Sequence, residues 1–316
     1  MPAVASAIPV LPLRPPSDHD FVAALSDSFR TYGFAVISDH GIAPSLIRHA
    51  WTLAHAFFAL PDSAKRGYRI PGGAGQRGYT AFATEIAKNA GRPDLKEFWH
   101  VGREAESGVA LPDGMPANIW PVEIPDFREC FSALYTGFEQ AGAKLLAAIA
   151  AGLGLSPDWF EAPTMQGNSI LRLLHYPPVD NAASAPGAVR AAAHEDINLI
   201  TLLLGAEEAG LQLLTREGEW LDIRPPEDAL VVNIGDMLQR LTNGVLPSTT
   251  HRVVNPSSER AAISRYSMPF FLHLRPDFLI DTLPGCVSEG NPLRYLPISA
   301  QDYLEERLCE IGLLPA

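Results

Sequence analysis

The sequence predicts a mainly β protein with flanking helices, a jelly roll preceded by a helical N-terminal region. The first observation behind this is a change in the spacing of apolar residues, from a period of 3.6 to a period of 2, near residues 154–167. The second is that the segment beyond holds seven short β-prone runs separated by Gly, Pro, Asn or Asp turns. The third is composition: 316 residues, 47% hydrophobic and 19% charged, suit a folded chain of one large domain or two rather than a disordered or membrane protein.

Taken in order, Ser17 is placed to cap a helix in which Phe21, Ala24, Leu25, Ser28 and Phe29 recur at helical spacing, and Gly33 ends it. Phe34 to Ile37 reads as a short buried strand, Asp39-His40-Gly41 as a turn, and Pro44 as the opening of a helix over Ala43–Leu60. Residues 71–116 are rich in Gly and Pro with scattered charge, so an irregular covering segment is expected there. Phe127–Leu155 is the longest helical pattern, with Phe131, Leu134, Phe138, Leu145 and Ile149 as its apolar stripe. The strands expected after it are Ser169–Tyr176, Ile197–Leu204, Leu211–Thr215, Trp220–Ile223, Ala229–Ile234, Thr249–Val254 and Ala262–Leu272. Strands this short at this spacing form a sandwich or barrel, with the jelly-roll layout favoured.

Charge narrows the partners. Lys+Arg 24 against Asp+Glu 36 leaves −12, a field that repels phosphate backbones and acidic bilayers, so neither nucleic acid nor a membrane is expected as partner. Cys130, Cys286 and Cys309 are far apart and form no CxxC, which argues against a disulfide framework or a thiolate zinc site and suits a cytoplasmic location. No basic residue precedes Arg14 and prolines break the N-terminus, so no secretory signal is expected. The most apolar stretch, Leu145–Leu155, is interrupted by Gly152 and Gly154 and is too short to span a bilayer.

The strongest chemical signal is His194-Glu195-Asp196. Side chains two apart on an extended segment share a face, so His194 and Asp196 converge while Glu195 points away. Alone, such a pair is common and reads equally as a surface turn. A third ligand must come from a strand distant in sequence, and His251, in Ser248-Thr-Thr-His251-Arg-Val-Val-Asn255, is well placed. Two imidazoles and one carboxylate on one face of an octahedron leave three positions open, the arrangement of non-haem Fe(II) oxygenases. Fourteen residues on, Arg265-Tyr266-Ser267 is the chain's single Arg-x-Ser, an arginine fork beside a hydroxyl that suits a carboxylate.

With these segments the chain resembles the 2-oxoglutarate- and Fe(II)-dependent oxygenases of the isopenicillin N synthase type. The resemblance runs through Ile8-Pro-Val-Leu-Pro-Leu13, Tyr32-Gly-Phe-Ala-Val-Ile37, Asp39-His-Gly-Ile42 and Pro93-Asp-Leu-Lys-Glu97. It continues through His175-Tyr-Pro-Pro178, His194-Glu-Asp196, Asn233-Ile-Gly-Asp236, Leu241-Thr-Asn-Gly244, His251-Arg-Val253 and Arg265-Tyr-Ser267. It implies a distorted double-stranded β-helix with iron held by His194, Asp196 and His251. It also implies that Arg265 and Ser267, supported by Tyr176, bind the distal carboxylate of 2-oxoglutarate. The activity it implies consumes O2, decarboxylates 2-oxoglutarate to succinate and CO2, and oxidises a small molecule by hydroxylation, desaturation, cyclisation or ethylene formation. One departure stands out, because plant-type members commonly carry Asn two positions before that Tyr where this chain has Leu174. The implied division is an N-terminal non-haem dioxygenase region at 1–120, a support helix at 121–160, the catalytic β-helix at 161–280 and a C-terminal tail or helix at 281–316.

Two alternatives stand beside this reading, an Fe(II) oxidase of the same fold that does not use 2-oxoglutarate, and a metal-binding jelly-roll module without turnover. A monomer or weak homo-oligomer is expected. Gly73-Ala-Gly75-Gln-Arg-Gly78 matches a dinucleotide fingerprint literally but lacks the preceding strand, so a loop is expected. Tyr79, Phe82, Glu85, Phe98 and Trp99 are candidate substrate contacts, while Glu85 and Lys96-Glu97 read equally as solvated ion pairs and His100 as a surface histidine. Asn233 and Asp236 are expected to be structural turn residues, and Met237, Leu238 and Leu241 core. Specificity is expected from about residues 71–110 and the tail after Arg275.

Overall fold

In the computed structural model, residues 8–73, 75–85, 93–105, 111, 115–178, 190–205, 210–255 and 263–310 are described. Asp18, one residue after the expected Ser17, caps α1 (His19–Tyr32) by accepting the Phe21 N–H at 3.0 Å, and Gly33 ends the helix in the left-handed conformation. α2 (Pro44–Phe58) begins at its proline, α3 (Asp62–Arg66) is a single turn, and α4 (Phe127–Gly152) is the long helix the apolar stripe requires. All five stripe residues of α4 are buried, and Phe138 stacks on Phe270 with ring centroids 5.3 Å apart. Three shorter or later helices are α5 (Glu161–Thr164), α6 (Asp236–Leu241) and α7 (Ala300–Glu310).

Strands β1 (Val10–Pro12), β2 (Phe34–Ser38), β3 (Gly78–Thr80), β4 (Glu97–Gly102), β5 (Ile170–Tyr176), β7 (Ile200–Leu204), β10 (Leu230–Ile234) and β12 (Arg265–Leu272) form one sheet, in the order β1-β2-β10-β7-β12-β5-β4-β3. β6 (Ala191–His194), β8 (Leu211–Leu214), β9 (Trp220–Asp222) and β11 (His251–Val253) form the facing sheet, in the order β6-β11-β8-β9. A small third sheet pairs β13 (Leu279–Ile280) with β14 (Ile298–Ser299). The two larger sheets make the jelly roll. One face of the large sheet packs on α1, α2 and α4 through the main apolar core; the other meets the small sheet through a second core that includes Phe34, Leu174, Leu213 and Val253.

The seven strands expected after the long helix are all present in shortened form, and Phe34–Ile37 extends to Ser38; Ala262, the first residue of the last expected strand, lies outside the described residues. Six strands were not anticipated: the short β1, β3, β13 and β14, and two that matter to the site, β4 and β6. β6 is Ala-Ala-Ala-His, with no β-branched residue, and alanine is a weak strand former. β4 falls inside 71–116, expected as irregular, yet it is a fully buried strand between β3 and β5. Burial on both faces removes the period-2 alternation that marks a strand. The described residues around Gly73, Gly75 and Gly78 form turns leading into β3, so no strand precedes that glycine motif.

Candidate active site

The registers place the chemistry. β6 and β11 run antiparallel with His251 directly opposite His194, and directly opposed residues share a face. The imidazoles therefore meet, with ring centroids 4.5 Å apart. Just after β6 the chain turns and brings Asp196 beside them, its Oδ1 3.8 Å from His194 Nε2 and 3.9 Å from His251 Nε2. Glu195 points away and accepts from Thr250.

Each member presents one atom and is fixed by another. Nδ1 of His194 lies 2.7 Å from the Ala192 carbonyl and Nδ1 of His251 lies 3.0 Å from the Thr249 carbonyl. A carbonyl only accepts, so both rings carry the proton on Nδ1 and offer the Nε2 lone pair. Asp196 Oδ2 accepts from Thr201 Oγ1 at 2.5 Å and from Asn233 Nδ2 at 2.8 Å, which leaves Oδ1 for the side shared with the imidazoles. Burial alone would raise the Asp196 carboxyl; the two imidazoles and these hydrogen bonds outweigh it and hold the group below its ordinary range. Burial and the neighbouring ring hold His194 below its usual value. Two neutral nitrogens and one carboxylate oxygen, all within 4.8 Å of one another, are a donor set that suits Fe(II).

Two glycines let the backbone come close enough to build this centre. Gly33 has φ +67°, and a Cβ there would lie 2.2 Å from Thr249 Oγ1 and 2.6 Å from the Pro247 carbonyl, in the segment that carries His251. A Cβ on Gly235 would lie 2.2 Å from the Asn198 carbonyl, beside Asp196. Asn233, expected to serve its own turn, instead holds the Asp196 carboxylate from the turn after β6. Its place opposite Thr201 in the β10–β7 register was invisible in the sequence. Asp236 accepts from Tyr303 at 3.1 Å, and Met237, Leu238 and Leu241 are buried as expected.

A recess between the sheets runs from the triad to the other expected residues. Arg265 stands opposite Tyr176 and Ser267 opposite Leu174 across β12 and β5. Arg265 is buried, with its guanidinium 5.1 Å from the Tyr176 ring centre and Nη1 donating to Ser267 Oγ at 3.4 Å. Tyr176, His194, Asp196, His251, Arg265 and Ser267 all line this one recess. Leu174 adds no polar atom to it, and Lys96 reaches it from the adjoining strand segment.

On the other side of the triad opens a cavity of about 370 Å³, roofed by Leu304, Arg307 and Leu308 of α7. Along one wall, Lys96 Nζ pairs with Glu85 Oε2 at 2.5 Å and with Asp94 Oδ2 at 2.8 Å. Arg172 Nη1 and Nη2 reach the Glu85 oxygens at 3.3 and 3.4 Å, and its Nε donates to His100 Nε2 at 2.5 Å. Of the two readings of Glu85 and Lys96, the solvated one fails, because both are buried; His100 is buried rather than superficial as expected, and Phe98 joins them in the lining. Burial would raise Glu85, but Arg172 and Lys96 outweigh it and hold the carboxyl far below its ordinary range. Tyr79 and Trp99 lie in the helix-side core instead, and Phe82 is half-exposed.

Residues 167–274 match the 2OG-Fe(II) oxygenase superfamily, and residues 8–123 match the N-terminal region described as non-haem dioxygenase in morphine synthesis. The 2-oxoglutarate-Fe(II) type oxidoreductase hxnY of Emericella nidulans is 33% identical over 89% of this chain and 82% of its own length. Among solved structures, a 2OG-Fe(II) oxygenase family protein of Caulobacter crescentus is 50% identical, with TM-score 0.87 over 97% of this chain and 100% of its own. A full-length Neurospora crassa protein, crystallised in complex with alpha-KG and thymine, is 29% identical with TM-score 0.84 over 98% of each chain. No helix among the described residues is long and apolar enough to cross a membrane.

Proposed function

This chain belongs to the 2OG-Fe(II) oxygenase superfamily, and from that premise we propose that His194, Asp196 and His251 hold its iron and that Arg265, Ser267 and Tyr176 hold 2-oxoglutarate. The enzyme is a non-haem iron, 2-oxoglutarate-dependent oxygenase that oxidises a small molecule. In the hydroxylating case R–H, O2 and 2-oxoglutarate give R–OH, succinate and CO2, one oxygen atom entering each organic product. The single observation that supports the residue assignment is that three atoms with no other hydrogen-bonding duty among the described residues, two Nε2 and one Oδ1, converge on one point.

When bound, the iron supplies the redox chemistry that activates O2 and the 2-oxo acid. The chain's residues do the rest. The Ala192 and Thr249 carbonyls hold the imidazoles in one tautomer, and Thr201 and Asn233 aim the Asp196 carboxylate. Arg265 supplies a buried positive charge for the distal carboxylate of the co-substrate and Ser267 a hydroxyl beside it. Leu203, Leu211 and Val253 keep that recess dry, which strengthens the ion pair. Glu85, Asp94, Lys96, Phe98 and His100, together with the tail helix α7, border the substrate side. We place the enzyme in the cytoplasm as a monomer or weak oligomer, on the acidic charge and the dispersed cysteines.

Anaerobic addition of Fe(II) and 2-oxoglutarate to metal-free protein tests the assignment through the visible charge-transfer band of a chelated oxo acid. The band is expected in the native enzyme, absent in His251→Ala, and weakened in Arg265→Ala through a raised 2-oxoglutarate Kd. Iron binding without a band would overturn the co-substrate assignment and favour the oxidase alternative. Full band intensity in His251→Ala would overturn the ligand set.

A further inference from the structure

The cavity beyond the triad says which substrates it excludes. Among the described residues, nine charged ones border it, six acidic and three basic, the bases being Lys96, Arg172 and Arg307. Each base already has an acid: Lys96 has Glu85 and Asp94, Arg172 has Glu85, and Arg307 has Glu310. Fe(II) and the 2-oxoglutarate dianion carry equal and opposite charge, so loading the enzyme leaves the acidic excess in place. A substrate carboxylate would be desolvated among like charges, with no uncommitted cation among the described lining residues to receive it.

What the walls do offer is hydrogen bonding from groups whose charge is already matched or absent. Arg172 uses three of its five N–H groups on Glu85 and His100, and one N–H on each Nη is left. His100 accepts the Arg172 Nε–H at Nε2 and lies with Nδ1 2.5 Å from the Gly75 carbonyl, so geometry fixes it as a neutral Nδ1–H tautomer. His273 also lines the cavity, 7% exposed, and among the described residues its ring makes no hydrogen bond. Burial depresses its pKa to about 4, which keeps the ring neutral at pH 7, one donor and one acceptor without partners. A buried polar group left unmatched is costly, and a ligand of the right kind removes that cost.

We propose that the prime substrate is an uncharged small molecule bearing amide or carbonyl groups, hydrogen-bonded by the spare Arg172 N–H groups and by His273, and that the cavity rejects the corresponding carboxylates. This rests on the assignment of the iron and co-substrate sites above. The aromatic faces of Phe98 and Phe271, 4.2 and 5.2 Å from the Arg172 guanidinium carbon, make the remaining walls flat and apolar, which suits a ring.

The test uses the anaerobic enzyme loaded with Fe(II) and 2-oxoglutarate and matched pairs in which one neutral group is replaced by a carboxylate: nicotinamide against nicotinate, and thymine against uracil-5-carboxylate. Binding is read from the perturbation of the charge-transfer band. At least one neutral member is expected to bind ten-fold or more tightly than its acid, and His273→Phe and Arg172→Gln are each expected to weaken it at least five-fold. The native chelate band should form in His273→Phe, which separates a recognition defect from misfolding. Acids that bind as tightly as their neutral partners, neutral binding unchanged in both variants, or a normal band that no neutral probe perturbs would each overturn the proposal. Absence of the band in the native enzyme would instead overturn the co-substrate assignment beneath it.

Discussion

Lys96 and Glu97 are chain neighbours, both buried and both ion-paired, yet they belong to different machines. Glu97 faces the helices. Its oxygens accept from Lys65 Nζ at 3.0 and 2.8 Å and from Tyr79, and Oε1 lies 2.7 Å from His175 Nδ1, whose Nε2 is 3.1 Å from Ser264 Oγ. That cluster closes on itself and ties α3 to the sheet. Lys96 faces the cavity, where its cluster ends in the two spare N–H groups of Arg172. Burial and charge are the same on both faces. The difference is unspent hydrogen-bonding capacity, and that is what separates a site from a brace.

The comparison can be broken by substitution on each side, and the largest effect is expected at the triad. Asp196→Ala should abolish succinate formation, more than about 10³-fold, with the far-UV circular dichroism unchanged. Next comes the closed cluster, where Lys65→Met strands Glu97 as a buried unpaired carboxylate. A loss of about 3–5 kcal/mol in denaturant unfolding is expected, with the 2-oxoglutarate chelate band retained in whatever remains folded. A milder effect is expected one layer behind the metal, where Asn233→Ala leaves Asp196 Oδ2 with Thr201 alone. Fe(II) affinity by titration should fall about 10–100-fold.

The last effect concerns the stability contribution of His273. Its folded pKa, about 4, lies below the ordinary 6.5, so between those values the unfolded chain binds more protons than the folded one. Stability therefore drops as pH falls from 6.5 toward 4 and is unaffected by this group above 6.5. His273→Phe should flatten that acid slope by at most about 3 kcal/mol, measured as unfolding free energy at pH 7 and pH 4.5.

How much of this was legible in the sequence depended on whether the signal was local. α1, α2 and α4 announce themselves through caps and stripes, and the His194, Asp196 and His251 set through spacing and chemistry. β4 and β6 did not. The polar residues of β4, Glu97 and His100, have partners 18 to 78 positions away that make them internal, and nothing nearby shows this. β6 is held by β11, 57 residues on at the His194–His251 pair, rather than by its own alanines. Asn233 and Arg172 were missed for the same reason, since their roles exist only in the register between strands. The one available hint was Phe98-Trp99-His100-Val101, a β-prone run inside a segment otherwise rich in breakers.

The close approach of Gly33 to Thr249 joins the end of the first helix to the segment that aims His251. The N-terminal third is in that sense a splint for the metal, and damage to it would first be felt as a lost ion rather than as a lost fold. A chain strained at the Gly33–Thr249 contact is expected to keep its strand pairings and become dependent on added iron. Screens for defects in this enzyme that score only expression or solubility would pass such variants as sound.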